Sequence, residues 1–231
     1  MAMVSRIRNV TMLGYRRMAK PRKDRVAKIL AGLDTLYPNV TCELDHETPW
    51  QLLVATILSA QCTDKRVNMV TPHLFQRFPT VEDLAHANQD EVAGIIKSTG
   101  FFNNKSKNII GAARKILSDF KGEVPRTMEE LLTVPGAARK TANVVLGTCF
   151  NVASGVVVDT HVARISNRLG LTSETDPVKI EKDLMGIVPR ERWVLFSHQV
   201  IHHGRQLCVA RNPKCSQCLL EPICHAPDKT V

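Results

Sequence analysis

The chain has 231 residues, enough for one large domain or two small ones. Hydrophobic residues make up 44% and aromatics only 5%, so a sizeable aliphatic core is expected, of the kind that packed helices build. A formal charge of +9 favours a polyanionic partner, and no apolar run approaches the roughly 18 residues of a membrane span.

Residues 1–23 gather Arg6, Arg8, Arg16, Arg17, Lys20, Arg22 and Lys23 before the first acid, Asp24. Such a basic extension fits a transit peptide, a disordered arm touching DNA, or translation that begins at Met18. No hydrophobic secretory core is present, so a cytoplasmic or nucleoid address is expected in a bacterium, with an organellar one left open by the basic extension.

From Asp24 onward, Val26, Ile29, Leu30, Leu33 and Leu36 recur at three- and four-residue steps, predicting a helix that Pro38 ends. Trp50 to Ala60 is almost continuously apolar and reads as a buried helix. Lys65 to Phe78 is amphipathic, and Val81 to Ala87 and Glu91 to Lys97 are two short helices. Gly100 interrupts; Lys105 to Phe120 then resumes with Ile109, Ile110, Ala113, Ile116 and Leu117 on one face. Met128 to Leu132 and Lys140 to Thr148 flank a tight turn, and Thr160 to Leu169, Val178 to Met185 and Trp193 to His203 complete the set. The β-like run Val156-Val157-Val158 is too short to change the expected class, which is all-α.

The tail reads Cys208-x6-Cys215-x2-Cys218-x5-Cys224. Soft thiolates select zinc or an iron–sulfur cluster over hard cations. One C-x2-C with long asymmetric spacers departs from zinc-ribbon spacing and favours a loop wrapped around a [4Fe–4S] cubane, with zinc as the alternative. Between the first two ligands, Arg211 and Lys214 project from a loop pinned at both ends, where they present charge to a phosphate or simply to solvent. Cys42, Cys62 and Cys149 read as ordinary buried thiols.

Residues 134–141 read Val-Pro-Gly-Ala-Ala-Arg-Lys-Thr. A turn at Pro135-Gly136 followed by a helix near Arg139 offers backbone N–H groups to a phosphate without reading base sequence. Lys140 sits in the first turn of that helix, where the dipole disfavours a positive charge and so favours the neutral, nucleophilic amine. Such an amine attacks a carbonyl-like carbon and forms a Schiff base. Asp159 precedes the next helix; it is either a plain N-cap or a carboxylate that stabilises an oxocarbenium-like sugar.

Four motifs together resemble endonuclease III, a helix-hairpin-helix DNA glycosylase family with an iron–sulfur cluster. They are Leu58-Ser59-Ala60-Gln61-Cys62-Thr63-Asp64, the hairpin leading into Lys140-Thr141-Ala142-Asn143, Val158-Asp159-Thr160-His161, and the cysteine tail. The similarity runs from about Asp24 to Cys224. It implies two helical domains, 42–152 and 24–41 plus 153–231, with a DNA-binding cleft between them and a [4Fe–4S] cluster on Cys208, Cys215, Cys218 and Cys224. It implies base-excision repair of double-stranded DNA by a monomer, with an oxidised pyrimidine flipped into the cleft. Lys140 would attack the sugar and nick the strand by β-elimination, and Asp159 would assist base departure and lysine activation. Gln61 would fill the gap left by the flipped base, Phe101 would enter the opposite side of the stack, and Gly136, Ala138 and Arg139 would meet the phosphate.

Two positions depart from the family pattern. Ala138 stands where a second hairpin glycine is typical, which is expected to loosen the phosphate grip. Phe101-Phe102 replaces an aliphatic residue and a tyrosine, which bears on the lesion or opposing base accepted. A mismatch adenine glycosylase shares the scaffold but lacks a lysine at position 140 and carries an added C-terminal domain. A catalytically weak DNA-binding protein on the same scaffold and a zinc-stabilised DNA-binding module are the other readings.

Overall fold

A computed structural model of the chain describes residues 23–230. The basic segment 1–23 therefore lies outside the described residues except for Lys23, which opens the first helix. Eleven α-helices are present among the described residues, with short 3-10 turns and no strand. The Val156-Val157-Val158 run is extended coil that buries Val156 and Val157 in the interior.

In chain order the helices are α1 Lys23–Leu36, α2 Pro49–Leu58, α3 Asp64–Arg77, α4 Val81–Ala85, α5 Gln89–Ile96, α6 Phe102–Phe120, α7 Met128–Leu131, α8 Arg139–Phe150, α9 Thr160–Arg168, α10 Pro177–Met185 and α11 Trp193–Gln206. Their starts follow local chemistry. Thr48, Thr63, Thr80, Asn88, Thr127, Asp159 and Asp176 each accept a backbone N–H of the first turn through a side-chain oxygen. Pro49 and Pro177 occupy first helical positions, where a missing N–H costs nothing.

Buried side chains gather into two clusters. One is built from α2 to α8 and includes Leu52, Leu58, Leu74, Ile96, Ile109, Ile116 and Leu146. The other joins α1 to the C-terminal half through Ile29, Leu33, Ile165, Leu184, Phe196 and Val200. Because α1 packs on α11, the two ends of the described chain share one core. The apolar run read as a buried helix is α2, in which only Pro49 and Gln51 escape full burial.

The hairpin lies between α7 and α8. Gly136 has φ 79°, and a Cβ there would sit 3.0 Å from Asn108 Cβ and 3.2 Å from Ile57 Cγ2, so this position requires glycine. Ala138 is different. It is the N-cap of α8 at φ −78° and ψ 170°, ordinary extended backbone that any residue adopts. The expected loosening of the hairpin at Ala138 finds no cause in its conformation. Gly136→Ala is expected to destabilise the protein by about 1–2 kcal/mol or more, the cost of a left-handed non-glycine residue plus the clash. Ala138→Gly is expected to shift stability by roughly 1 kcal/mol or less. Denaturant unfolding of both variants checks the contrast; equal losses would contradict it.

Candidate active site and metal centre

Lys140 and Asp159 reach the same place from different elements. Lys140 lies in the first turn of α8 and is exposed; Asp159 caps α9 and is half-buried. Both line one open cleft of roughly 1690 Å3 of empty space that is continuous with solvent. Two helix N-termini, each carrying a partial positive charge, thus border a single cavity, a favourable setting for an anionic ligand. Gln61, Ser59, Thr160 and His161 share its wall. A deeper recess behind Lys140 and Asp159 is floored by Cys42, Thr56, Ser197 and His198.

Asp159 is an N-cap in the literal sense. Its Oδ1 accepts the backbone N–H groups of His161 and Val162, each at 2.8 Å. Both bonds fall on one oxygen, so capping fixes the carboxylate and leaves Oδ2 outside the cap. The plain-cap reading and the functional reading are therefore compatible.

Arg139 does not stand free beside the hairpin. Its Nε and Nη2 donate to Glu181 of α10 at 2.6 and 3.1 Å, which raises its pKa above the ordinary arginine value. Glu181 is buried, and its Oε1 also accepts Asn143 Nδ2 at 2.9 Å, while Asn143 Oδ1 accepts Ser154 Oγ at 2.8 Å. Gly155 makes room for this network: a Cβ there would fall 2.0 Å from Glu181 Oε1. The start of α8 is thereby fixed to α10 one residue before Lys140.

A second bridge crosses the cleft mouth. Arg205 of α11 donates to Asp64 Oδ2 at 2.6 Å and to Glu43, and His202 Nδ1 lies 3.0 Å from Glu43 Oε1. Burial alone would lower the pKa of Arg205; its hydrogen bond to Asp64 and the neighbouring carboxylates outweigh it and raise it. These partners were not singled out in the sequence, although Asp64 ends one of its four motifs. Nothing in the spacing of Glu43, Asp64 and Arg205, 141 or more residues apart for each arginine pair, announces a contact.

Several other sequence-selected positions are exposed or sit in strained turns. Phe101 is 63% exposed at φ 48°, just after Gly100 at φ 71°. Buried Lys105 holds this turn twice, with its backbone N–H on Phe101 O at 3.0 Å and its Nζ on Thr99 O at 2.7 Å. Gln61 is also left-handed, at φ 53°, and exposed. Gly136 and Ala138 are exposed at the hairpin, and Arg211 and Lys214 are exposed on the tail loop. Cys42, Cys62 and Cys149 are half-buried free thiols at the edge of the first core rather than fully buried within it.

The four tail cysteines line one recess with about 440 Å3 of empty space, partly open to solvent, walled by Ile165, Leu169, Leu207 and Leu220. Among the described residues no three His, Cys, Asp or Glu side chains close to the spacing of a single bound ion; the four thiols ring a shared space instead. Four soft donors around an apolar cavity fit a thiolate-bound polynuclear cluster. Arginines hold the loop from outside: Arg168 donates to Val209 O and Ala210 O at 2.8 and 3.2 Å, Arg164 to Cys208 O at 2.9 Å, and Arg25 to Ile223 O at 2.8 Å.

Residues 54–190 match the family model described as HhH-GPD superfamily base excision DNA repair protein. Endonuclease III of Synechocystis sp. is 58% identical over 209 residues, covering 90% of this chain and 95% of the relative. Endonuclease III of Bacillus subtilis is 45% identical, covering 87% and 91%. A solved structure described as a non-covalent endonuclease III–DNA complex superposes with a TM-score of 0.84 at 40% identity, covering 88% of this chain and 95% of its own. A second, a trapped endonuclease III–DNA covalent intermediate, gives the same score and identity. With the family model spanning the hairpin and both Lys140 and Asp159, and relatives matching about nine-tenths of the chain, the chain belongs to the endonuclease III family of helix-hairpin-helix base-excision DNA repair proteins.

Proposed function

We propose that this protein is a bifunctional DNA glycosylase that removes oxidised pyrimidines from double-stranded DNA and cleaves the resulting abasic site, with Lys140 as nucleophile and Asp159 as its carboxylate partner. The observation that carries the assignment is the joint presence of Lys140 and Asp159 on one cleft, each held at a helix N-terminus. One chain supplies both, so a monomer suffices.

The chemistry follows from those positions. The neutral Lys140 amine attacks C1′ of the flipped nucleotide, and the C1′–N bond breaks with its electron pair leaving on the base. The Asp159 carboxylate stabilises positive charge building on the sugar and takes up the proton that the lysine nitrogen sheds. Ring opening gives an iminium between Lys140 and C1′. Loss of a C2′ proton then expels the 3′ phosphate, and hydrolysis returns the amine.

The surrounding residues supply binding. The Gly136 turn and the start of α8 present backbone N–H groups to a phosphate, and Ala138 leaves that geometry ordinary. Arg139 acts mainly by fixing α8 through Glu181. Gln61 and Phe101, both exposed and both left-handed, are suited to enter the stack from two sides. The two buried clusters support a division into domains 42–152 and 24–41 plus 153–231, with the cleft between them. Cys208, Cys215, Cys218 and Cys224 would hold a [4Fe–4S] cluster, whose contribution is to brace the loop that carries Arg211 and Lys214 toward DNA.

Borohydride reduction in the presence of abasic-site DNA should yield a covalent protein–DNA adduct. Lys140→Gln should fold normally, lose the adduct, and nick at a rate lower by roughly 10³-fold or more, the scale of removing a covalent nucleophile. A Lys140→Gln protein that nicks by β-elimination at the wild-type rate would sink the assignment.

Cys208→Ser should act elsewhere. The variant is expected to lose iron, melt earlier and bind DNA less tightly, since ligand loss removes folding free energy. Iron analysis, thermal melting and fluorescence anisotropy on duplex DNA check this together. Unchanged stability and affinity would refute a structural role for the metal centre.

A further inference from the structure

Two of the four tail cysteines have a side-chain N–H donor within reach of their sulfur. Arg168 Nη1 donates to Cys208 Sγ at 3.3 Å, and His203 Nε2 lies 3.7 Å from Cys218 Sγ. Both donors are dry: His203 is 1% exposed and Arg168 7%. Behind His203 stands Tyr37, also buried, with its Oη 3.0 Å from His203 Nδ1.

We propose that Tyr37 and His203 form a buried relay that aims an imidazole N–H at the Cys218 thiolate, making His203 a positioning residue that sets the potential and the retention of the cluster. The inference rests on the [4Fe–4S] reading above.

The direction of each bond follows from the ligand. A metal-bound thiolate carries no proton and can only accept, so Nε2 must bear the hydrogen. In the neutral ring this leaves Nδ1 as a lone pair, and the Tyr37 hydroxyl is its donor. Removing that hydroxyl frees the ring to place its proton on either nitrogen. The geometry is anchored on both sides. Gln199 Nε2 donates to Tyr37 O at 3.2 Å, and the backbone carbonyl of His203 accepts the N–H groups of Leu207 and Cys208 at 3.0 and 2.9 Å. His203 therefore holds one ligand through its backbone and addresses another through its ring. Tyr37 directly follows α1 and His203 belongs to α11, so the relay also joins the start of the described chain to the metal loop.

Two consequences are measurable. A hydrogen bond to a ligand sulfur favours the more electron-rich state of a cluster and raises its potential. Second-shell partners also slow the loss of ligands and metal. Arg168 is a poor probe of either, because it also hooks two loop carbonyls and Asp228, and its removal would disturb the whole loop. Tyr37→Phe deletes a single oxygen and keeps the ring packing; His203→Leu deletes the donor itself.

The experiment uses the full-length protein purified with its cluster. Iron and sulfide content and visible absorbance of the wild type come first: a colourless, iron-free wild type overturns the cluster reading itself. With a loaded wild type, voltammetry of the DNA-bound protein and iron release to a chelator are compared across the variants. The expected result is a lower midpoint potential in both, and roughly ten-fold faster iron release in His203→Leu with a smaller change in Tyr37→Phe. A merely structural role would speed iron release but leave the potential of the loaded fraction where it was. A loaded Tyr37→Phe protein with the wild-type potential overturns the relay, whether or not His203→Leu folds.

Discussion

The site depends on arginine–carboxylate bridges that span the two hydrophobic cores. Arg139 on α8 meets buried Glu181 on α10, and Arg205 on α11 meets Asp64 at the start of α3 together with Glu43. Lys140 belongs to the first core's last helix and Asp159 caps α9 of the second, so neither core alone makes a site. Three carboxylates and two guanidiniums hold the two helix N-termini at one cleft. The Arg139 bridge is the more consequential, because Glu181 is 5% exposed and a carboxylate that dry is tolerated only when paired and hydrogen-bonded. Asn143 and Gly155 complete it, one by donating, the other by lacking a side chain.

This arrangement separates two demands that conflict. The nucleophile proposed for Lys140 has to be exposed to meet a flipped sugar, yet an exposed side chain at a helix start has little to hold its backbone. Here the neighbouring residue does the holding, and Lys140 stays free to reach into the cleft. Asp159 resolves the same conflict within one side chain. Its Oδ1 accepts two backbone N–H groups, which fixes the carboxylate against rotation and leaves Oδ2 free for the sugar in the proposed reaction. Preorganisation of this kind is what lets a fixed charge act on a transient cation without first rearranging.

Much of this was legible in the sequence. Helix periodicity located α1, α2, α3 and α6 to within a few residues, because their apolar stripes face single cores and, for α2 and α3, a capping threonine stands one residue ahead. Lys140 and Asp159 stood out because each opens a helix beside a motif. What stayed hidden was pairing. Arg139 looked like a phosphate ligand from its place beside a glycine turn, and only the approach of α10 shows its partner. Ala138 looked like a defect because a glycine was expected there; its extended backbone shows that only Gly136 needs the freedom. His202 and His203 are adjacent and chemically alike in sequence, yet the helix sends one to an exposed carboxylate and the other to a buried sulfur. Helical rotation of 100° between neighbours decides that, and no local pattern announces which face the metal loop will cover.

The tail loop is the segment whose order is least explained by its own sequence. From Val209 to Cys224, only Pro213 and Leu220 are fully buried, so apolar burial alone cannot hold it. The structure answers with arginines from three directions: Arg25 of α1 and Arg164 and Arg168 of α9 donate to its carbonyls. These bonds satisfy backbone acceptors that a loop without secondary structure would otherwise bury unpaired. They also explain why α9, which begins at Asp159, ends against the cysteines. Arg164 and Arg168 are one and two turns along the helix that Asp159 caps, so the loop, the helix and the carboxylate form one rigid path. A single helix thereby connects the cysteine loop to the cleft wall.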